Sequence, residues 1–247
     1  MSSLILLADI HANLGALEAV LADCEARYGR SAPICQLGDV VDYGPRPNEV
    51  IERLAGLGSR LLVNLAGNHE EILFGRGLER LSTDRGRTAA AWTSRALKAA
   101  GRDFLQKLAP GFQEIRLADK RLLFVHGDLN DVYWGRLNGE ERRRPGYQAF
   151  DYVISGHSHI PHLEIIFPPL KIVAESPVAE QAPRTVFINP GSVGQPRDRN
   201  PLAHYAMLEL ESGRVSFETA PYDIAAEAAI FDEAVDSYYH QRLFKGL

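Results

Sequence analysis

Five times along this chain, a short apolar run ends in residues that can bind a metal ion. Leu4 to Ala8 leads into Asp9 and His11, and Pro33 to Leu37 into Gly38-Asp39. Arg60 to Ala66 leads into Gly67-Asn68-His69-Glu70, Leu122 to Val125 into His126-Gly127, and Tyr152 to Ser155 into Gly156-His157-Ser158-His159. Runs of this length and composition read as buried strands. In open α/β sheets, ligands bind outside the carboxyl ends of the strands, so these clusters can converge on one concave site. Each cluster alone is weak evidence. An Asp-x-His is an ordinary turn, Asp39 can cap the turn before Val40, Asn68 can set a turn beside Gly67, and His126 can be a satisfied core histidine. Their conjunction carries the argument, because five of the eight histidines stand directly after apolar strands and beside glycines.

Helical spacing fills the gaps between the first strands. Leu14, Leu17, Val20, Leu21 and Cys24 recur on one helical face behind Asn13, a good N-cap, and Val50, Ile51, Leu54 and Leu57 line a second helix after Pro45 and Pro47. Residues 83 to 108 read as helical with a break near Gly101. The second half then turns to strands. Ile115 to Leu117 and Leu122 to Val125 flank Ala118-Asp119-Lys120 as a hairpin, Thr185 to Ile188 reads as a strand, and Tyr205 to Leu210 pairs with Val215 to Thr219 across Glu211-Ser212-Gly213. From Asp223, the apolar residues Ile224, Ala228, Phe231, Val235 and Tyr238 predict one terminal helix. A single domain over 1–247 is expected at this length. Two stretches look irregular, 128–148 and 168–183. The first contains Arg142-Arg143-Arg144 and reads as a solvated charged loop, although long loops beside a site also serve as lids.

Composition narrows the function. A formal charge of -5 argues against a broad nucleic-acid-binding surface, which needs clustered Lys and Arg. The apolar start is cut short by Asp9 and lacks a basic flank, so neither a signal peptide nor a membrane span is expected. Cys24 and Cys35 form no Cys-x-x-Cys pair, which fits a reducing, cytoplasmic setting. No Gly-x-Ser-x-Gly elbow and no Gly-x-x-x-x-Gly-Lys-Ser/Thr loop occurs. Carboxylate, imidazole and amide oxygen together suit divalent metals such as manganese, iron, zinc, nickel or cobalt, and the lack of thiolate argues for a site with open positions.

In this order, DIH at 9–11, GDVVD at 38–42, GNHE at 67–70, HG at 126–127 and GHSH at 156–159 closely resemble the blocks of the calcineurin-like metallophosphoesterase superfamily. NPGSVGQPRD at 189–198 is similar to its small prokaryotic phosphodiesterase/phosphatase branch. The resemblance implies a four-layer α/β/β/α sandwich of two mixed sheets flanked by helices. It implies two divalent ions, manganese first, with iron, zinc, nickel, cobalt or magnesium as alternatives. Asp9, His11 and His159 would hold one ion, Asn68, His126 and His157 the other, and Asp39 would bridge them. The implied chemistry is hydrolysis of phosphate mono- or diesters of a small substrate by direct attack of a hydroxide generated at the metals. His69 would be the general acid and Asp42 its orienting partner. Relatives that dephosphorylate proteins carry Arg where this chain has Tyr43, which weighs against a Ser/Thr protein phosphatase. A dinucleoside polyphosphate hydrolase and a noncatalytic scaffold on the same fold stand as alternatives. Arg197 and Asn13 are candidate substrate contacts. Asn13 is also the expected helix cap, and Arg197 reads equally as a surface arginine.

Overall fold

In the computed structural model, which describes residues 3–167 and 184–247, two five-stranded mixed sheets face each other. The irregular stretch 168–183 lies outside the described residues. β1 (Ser3–Leu7), β2 (Ile34–Gln36) and β3 (Leu61–Asn64) run parallel. β1 and β2 are buried at nearly every residue, so their sequences are continuous apolar runs rather than alternating ones. The second sheet is centred on β5 (Lys120–Val125), β6 (Tyr152–Ser155) and β8 (Thr185–Asn189), again parallel. Its edges are the antiparallel β4 (Phe112–Leu117) and β7 (His162–Ile166). β9 (Ala203–Glu209) pairs antiparallel with β1, and β10 (Arg214–Ala220) with β9.

Leu4, Leu6, Cys35 and Val63 from the first sheet pack on Phe124, Ile154, Val186 and Ile188 from the second, forming the core between them. The other face of the first sheet is covered by α1 (Leu14–Tyr28), α2 (Pro47–Ala55) and α5 (Ala99–Leu105). The other face of the second is covered by Leu137, Tyr147 and Phe150, carried on a segment with two short 3₁₀ helices, Glu141–Arg143 and Pro145–Ala149. That segment is the stretch expected to be a solvated loop. Its arginines are partly or largely exposed, but its apolar residues are core.

Two helical expectations are corrected. The helix over 83–108 breaks at Leu97-Lys98, between α4 (Asp84–Ala96) and α5, and not at Gly101. Asn48 staples the break, donating to Ala96 O and accepting from Lys98 N at 2.9 Å each. Gly101 instead lies buried within α5, where a β-carbon would stand 3.3 Å from Asn48 and Ile51 of α2. The tail is not one helix but two, α6 (Ile224–Ala228) and α7 (Ser237–Leu243), because Asp236 caps a second start through Tyr238 N. β7 and the six-residue α3 (Asn68–Leu73) were not anticipated.

Candidate metal centre

All five motif segments leave their strands at the same end of the facing sheets and turn sharply. Among the described residues, eight of the eleven non-glycine residues with left-handed φ lie here: Asp9, His11, Ala12, Asp39, Asp42, Tyr43, His157 and His159. Such backbone is costly outside glycine and persists only where the surroundings over-determine it. Glycines admit the close approaches between segments. At Gly67, a β-carbon would come 2.2 Å from Asp39 Oδ1, and at Gly38, 2.4 Å from His126 Nδ1.

The turn after β2 is held by a buried carboxylate that sequence reasoning left without a role. Glu70 accepts from the backbone N–H groups of Asp39, Val40 and Val41 at 2.9 to 3.2 Å, and reaches back to Gly67 N at 2.7 Å at the start of α3. An acid three residues into a helix that returns to the N-cap N–H is a recognisable signal in the sequence. Burial and the neighbouring Asp39 push its carboxyl up to about 7, against the pull of those N–H donors.

The predicted metal residues fall into two groups that share Asp39. One oxygen or ring nitrogen from each of Asp9, His11, Asp39 and His159 lies within 4.8 Å of the others, and so do those of Asp39, His126 and His157. Asn68 joins the second group, its Oδ1 standing 3.1 Å from His126 Nε2. Asp39 Oδ2 lies 3.3 Å from His126 Nε2 and 3.8 Å from His11 Nε2.

The hydrogen bonds behind these side chains decide whether a cation fits. His11, His126 and His159 each direct Nδ1 at a backbone carbonyl, of Val41, Leu37 and Gln195, at 3.2, 2.7 and 2.6 Å. A carbonyl only accepts, so Nδ1 carries a proton in all three, and in the neutral His11 and His159 Nε2 presents a lone pair, the arrangement that such partners give to ligating histidines. His11 Nε2 and His159 Nε2 then face each other at 3.3 Å, acceptor to acceptor. His126 Nε2 faces oxygens of Asp39 and Asn68. Asp9 Oδ2 is buried with no hydrogen-bond partner among the described residues. Converging buried acceptors with no proton between them are the complement of a cation.

Charge states at His11, His157 and His159 agree with that reading. Burial drives the His157 imidazole down to about 3 and holds His11 and His159 well below their ordinary range, so all three are neutral. Burial also lifts the Asp9 carboxyl to about 7. For Asp39, burial works upward, but the His126, His69 and His11 imidazoles outweigh it and keep the carboxylate charged. His126 departs from that pattern, raised to about 9 because Asp39 and Asp9 overcome the effect of its burial, so it holds a second proton on Nε2 facing Asp39 Oδ2, which a bound cation would replace.

A cleft of about 320 Å³ opens over this cluster, and Asp39, Asn68, His69, His157 and His159 line it. His69 Nδ1 lies 2.6 Å from Asp42 Oδ2, and Asp42 Oδ1 accepts from Thr93 Oγ1 of α4 at 3.1 Å. Arg197 also lines the cleft, and its Nε is buried with no partner among the described residues. Asn13 does not line it. Its side chain caps α1 through Ala16 N at 3.0 Å and donates to Gly194 O and the Tyr222 hydroxyl. Tyr43, which stands where protein-dephosphorylating relatives carry Arg, is in the wall, and Trp134, Arg136 and Arg80 beside it were not anticipated. Asp131 pairs with Arg80 at 2.7 Å and so ties the loop bearing Trp134 to the opposite rim. Nothing in the local sequence marks these residues, because the cleft is made by segments distant along the chain.

Fold and site together define a metallophosphoesterase architecture, and a sequence profile of the calcineurin-like phosphoesterase superfamily domain matches residues 2–213. The chain belongs to that superfamily. It is 31% identical to the uncharacterized protein MJ0912 of Methanocaldococcus jannaschii over 252 aligned positions, covering 99% of this chain and 98% of that one. It is also 31% identical to a metallophosphoesterase from Sphaerobacter thermophilus of known crystal structure, with a TM-score of 0.75 over 99% of this chain and 100% of that one. The phosphodiesterase YfcE of Escherichia coli K12 is 28% identical over 217 positions, 85% of this chain and 88% of its own.

Proposed function

We propose that this protein is a dinuclear metal-dependent phosphoesterase that hydrolyses mono- or diesters of a small phosphorylated substrate. The observation that carries the reading is Asp39, whose single carboxylate belongs to both groups of converging acceptors. Asp9, His11 and His159 would hold one divalent ion, Asn68, His126 and His157 the other, and Asp39 both, with manganese the first candidate. Bound there, the pair supplies Lewis acidity toward the phosphoryl oxygens and a water acidic enough to act as nucleophile at neutral pH.

The chain's own residues supply the rest. Asp42 accepts a hydrogen bond from His69 Nδ1–H, so Nε2 is left to serve the cleft as a proton donor to the leaving oxygen. His69 is raised above its ordinary value, because Asp39 and Asp42 outweigh the effect of its burial, and this favours the protonated acid. Arg197 places a guanidinium at the cleft wall, where it can bind a phosphoryl oxygen. The related YfcE is a phosphodiesterase, which favours diesters among the candidate substrates. A complete acceptor set argues against a scaffold that has lost its chemistry. A reducing cytoplasmic setting goes with the reading, since Cys24 and Cys35 are free and buried, and burial pushes the Cys24 thiol up to about 12. No helix among the described residues is long and apolar enough to cross a membrane.

The test is metal loading followed by assay on paired aryl phosphate monoesters and diesters. About two manganese ions per chain and metal-dependent hydrolysis of at least one ester are expected. A chain that takes up no metal after loading, or that binds metal and hydrolyses neither ester, overturns the proposal.

A further inference from the structure

The superfamily profile ends at residue 213, yet a residue far beyond it reaches the wall of the cleft. Tyr239, on α7, is 3% exposed and stacks on Tyr43 with ring centroids 4.6 Å apart and planes at 17°. Tyr43 in turn meets the His69 ring edge-on at 4.4 Å and lies 4.8 Å from the His11 ring. Ala89 of α4 and Val235 are buried with Tyr239 in the same small cluster, and Trp92 and Phe231 pack against it.

The backbone beneath this stack is strained. Asp42 and Tyr43 are consecutive non-glycine residues with φ of +73° and +65°. Left-handed residues without a glycine's freedom are strained and are kept only by contacts that leave no alternative. Two such contacts come from outside the turn. Thr93 of α4 donates to Asp42 Oδ1, and Tyr239 of α7 stacks on Tyr43. Asp42 Oδ1 also accepts from Tyr43 N at 2.8 Å, so the two residues move as a unit. The other oxygen of the same carboxylate aims His69.

We infer that Tyr239 is a positioning residue for the proton donor: by clamping Tyr43 it fixes the strained Asp42-Tyr43 turn, and through it the direction of the His69 imidazole. A segment beyond the superfamily profile thus supports the active site from behind Tyr43. The stacking face of the ring does this work, since no hydrogen bond of the Tyr239 hydroxyl occurs among the described residues. The inference rests on His69 being the acid.

Metal-loaded Tyr239→Ala, Tyr239→Phe and Leu243→Ala decide it. Leu243 is buried on the same helix at 3% exposure, and its truncation controls for loosening of α7 as such. Tyr239→Ala is expected to keep both metals and its KM, and to lose about tenfold in kcat toward an alkyl ester, a fraction of what a positioned proton donor contributes. Its loss toward a nitrophenyl ester, whose leaving group departs without protonation, should be smaller. The downfield proton NMR signal of His69 Nδ1–H, assigned by its absence in His69→Asn, should broaden. Tyr239→Phe should restore rate and signal, while Leu243→Ala should lower thermal stability and leave both near wild type. Equal losses on the two esters, an unchanged Nδ1–H signal, failure of phenylalanine to rescue, or the same kinetic defect in Leu243→Ala would each overturn the inference. If His69→Asn shows leaving-group dependence and Tyr239→Ala does not, only this inference falls. If His69→Asn shows none, the assignment of the acid falls with it.

Discussion

His69 Nδ1 sits 2.6 Å from Asp42 Oδ2, with both side chains almost wholly buried. The pair fixes the imidazole's tautomer and direction and stabilises its protonated form. His69→Asn is therefore expected to bind both metals and yet lose on the order of 10²- to 10⁴-fold in turnover, the usual contribution of a positioned acid. The deficit should shrink with nitrophenyl esters and grow with alkyl esters. Asp42→Asn should follow the same trend more weakly. A His69 variant that arrives without metal would identify the side chain as a ligand, which metal analysis of the purified protein reads directly.

In the proposed dinuclear centre, Asp39 and His11 would differ in how many metals they touch. Asp39 belongs to both groups of converging acceptors and His11 to one. Asp39→Asn is expected to weaken both sites, and His11→Ala mainly the site it shares with Asp9 and His159. Isothermal titration with manganese separates the two outcomes, and equal loss of stoichiometry in both variants would remove the bridging role.

Glu70 should matter as much as any ligand without touching a metal. Four buried backbone N–H groups, from Asp39, Val40, Val41 and Gly67, converge on its carboxylate. An unsatisfied buried donor costs about 1–3 kcal/mol, so Glu70→Ala is expected to destabilise the fold by roughly 3 kcal/mol or more even after local relaxation. Denaturant unfolding measures this. Because the same turn carries Asp39, the variant should also bind manganese less tightly, and a variant with wild-type stability and metal affinity would refute the stapling role.

What the sequence made legible follows from how each feature is encoded. β1 and β2 are buried on both faces, so they appear as unbroken apolar runs, and Asp9 and Asp39 stand out as the polar residues that end them. The hairpin over 118–120 was readable because Ala118 and Asp119 form a tight turn between strands that pair from Phe112 to Val125. The tail misled because Phe231 and Val235 keep helical spacing across a stretch where Asp236 starts a new helix. Tyr239 and Trp134 were invisible as site residues for a different reason. Their neighbours, Tyr43 and His157, lie far from them along the chain, and a single sequence carries no trace of such contacts.

Asn13 and Arg197 were candidates for the same role, and their surroundings now separate them. Both polar ends of the Asn13 side chain are occupied inside the fold, by Ala16 N on one side and by Gly194 O and Tyr222 on the other. Asn13→Ala should cost about 1 kcal/mol from the lost cap, with KM nearly unchanged. Arg197 lines the cleft and has a buried Nε with no partner among the described residues, so an incoming phosphoryl oxygen would give it one. A hydrogen bond to a charged group is worth about 1.5–3 kcal/mol, so Arg197→Ala should raise KM, and the inhibition constant of inorganic phosphate, by on the order of 10- to 100-fold. Lysine keeps the charge but not the planar pair of donors, so Arg197→Lys should recover only part of the affinity. The comparison is made by competition with phosphate on the manganese-loaded protein. If Arg197→Ala competes like wild type while Asn13→Ala raises the inhibition constant, the two assignments must be exchanged.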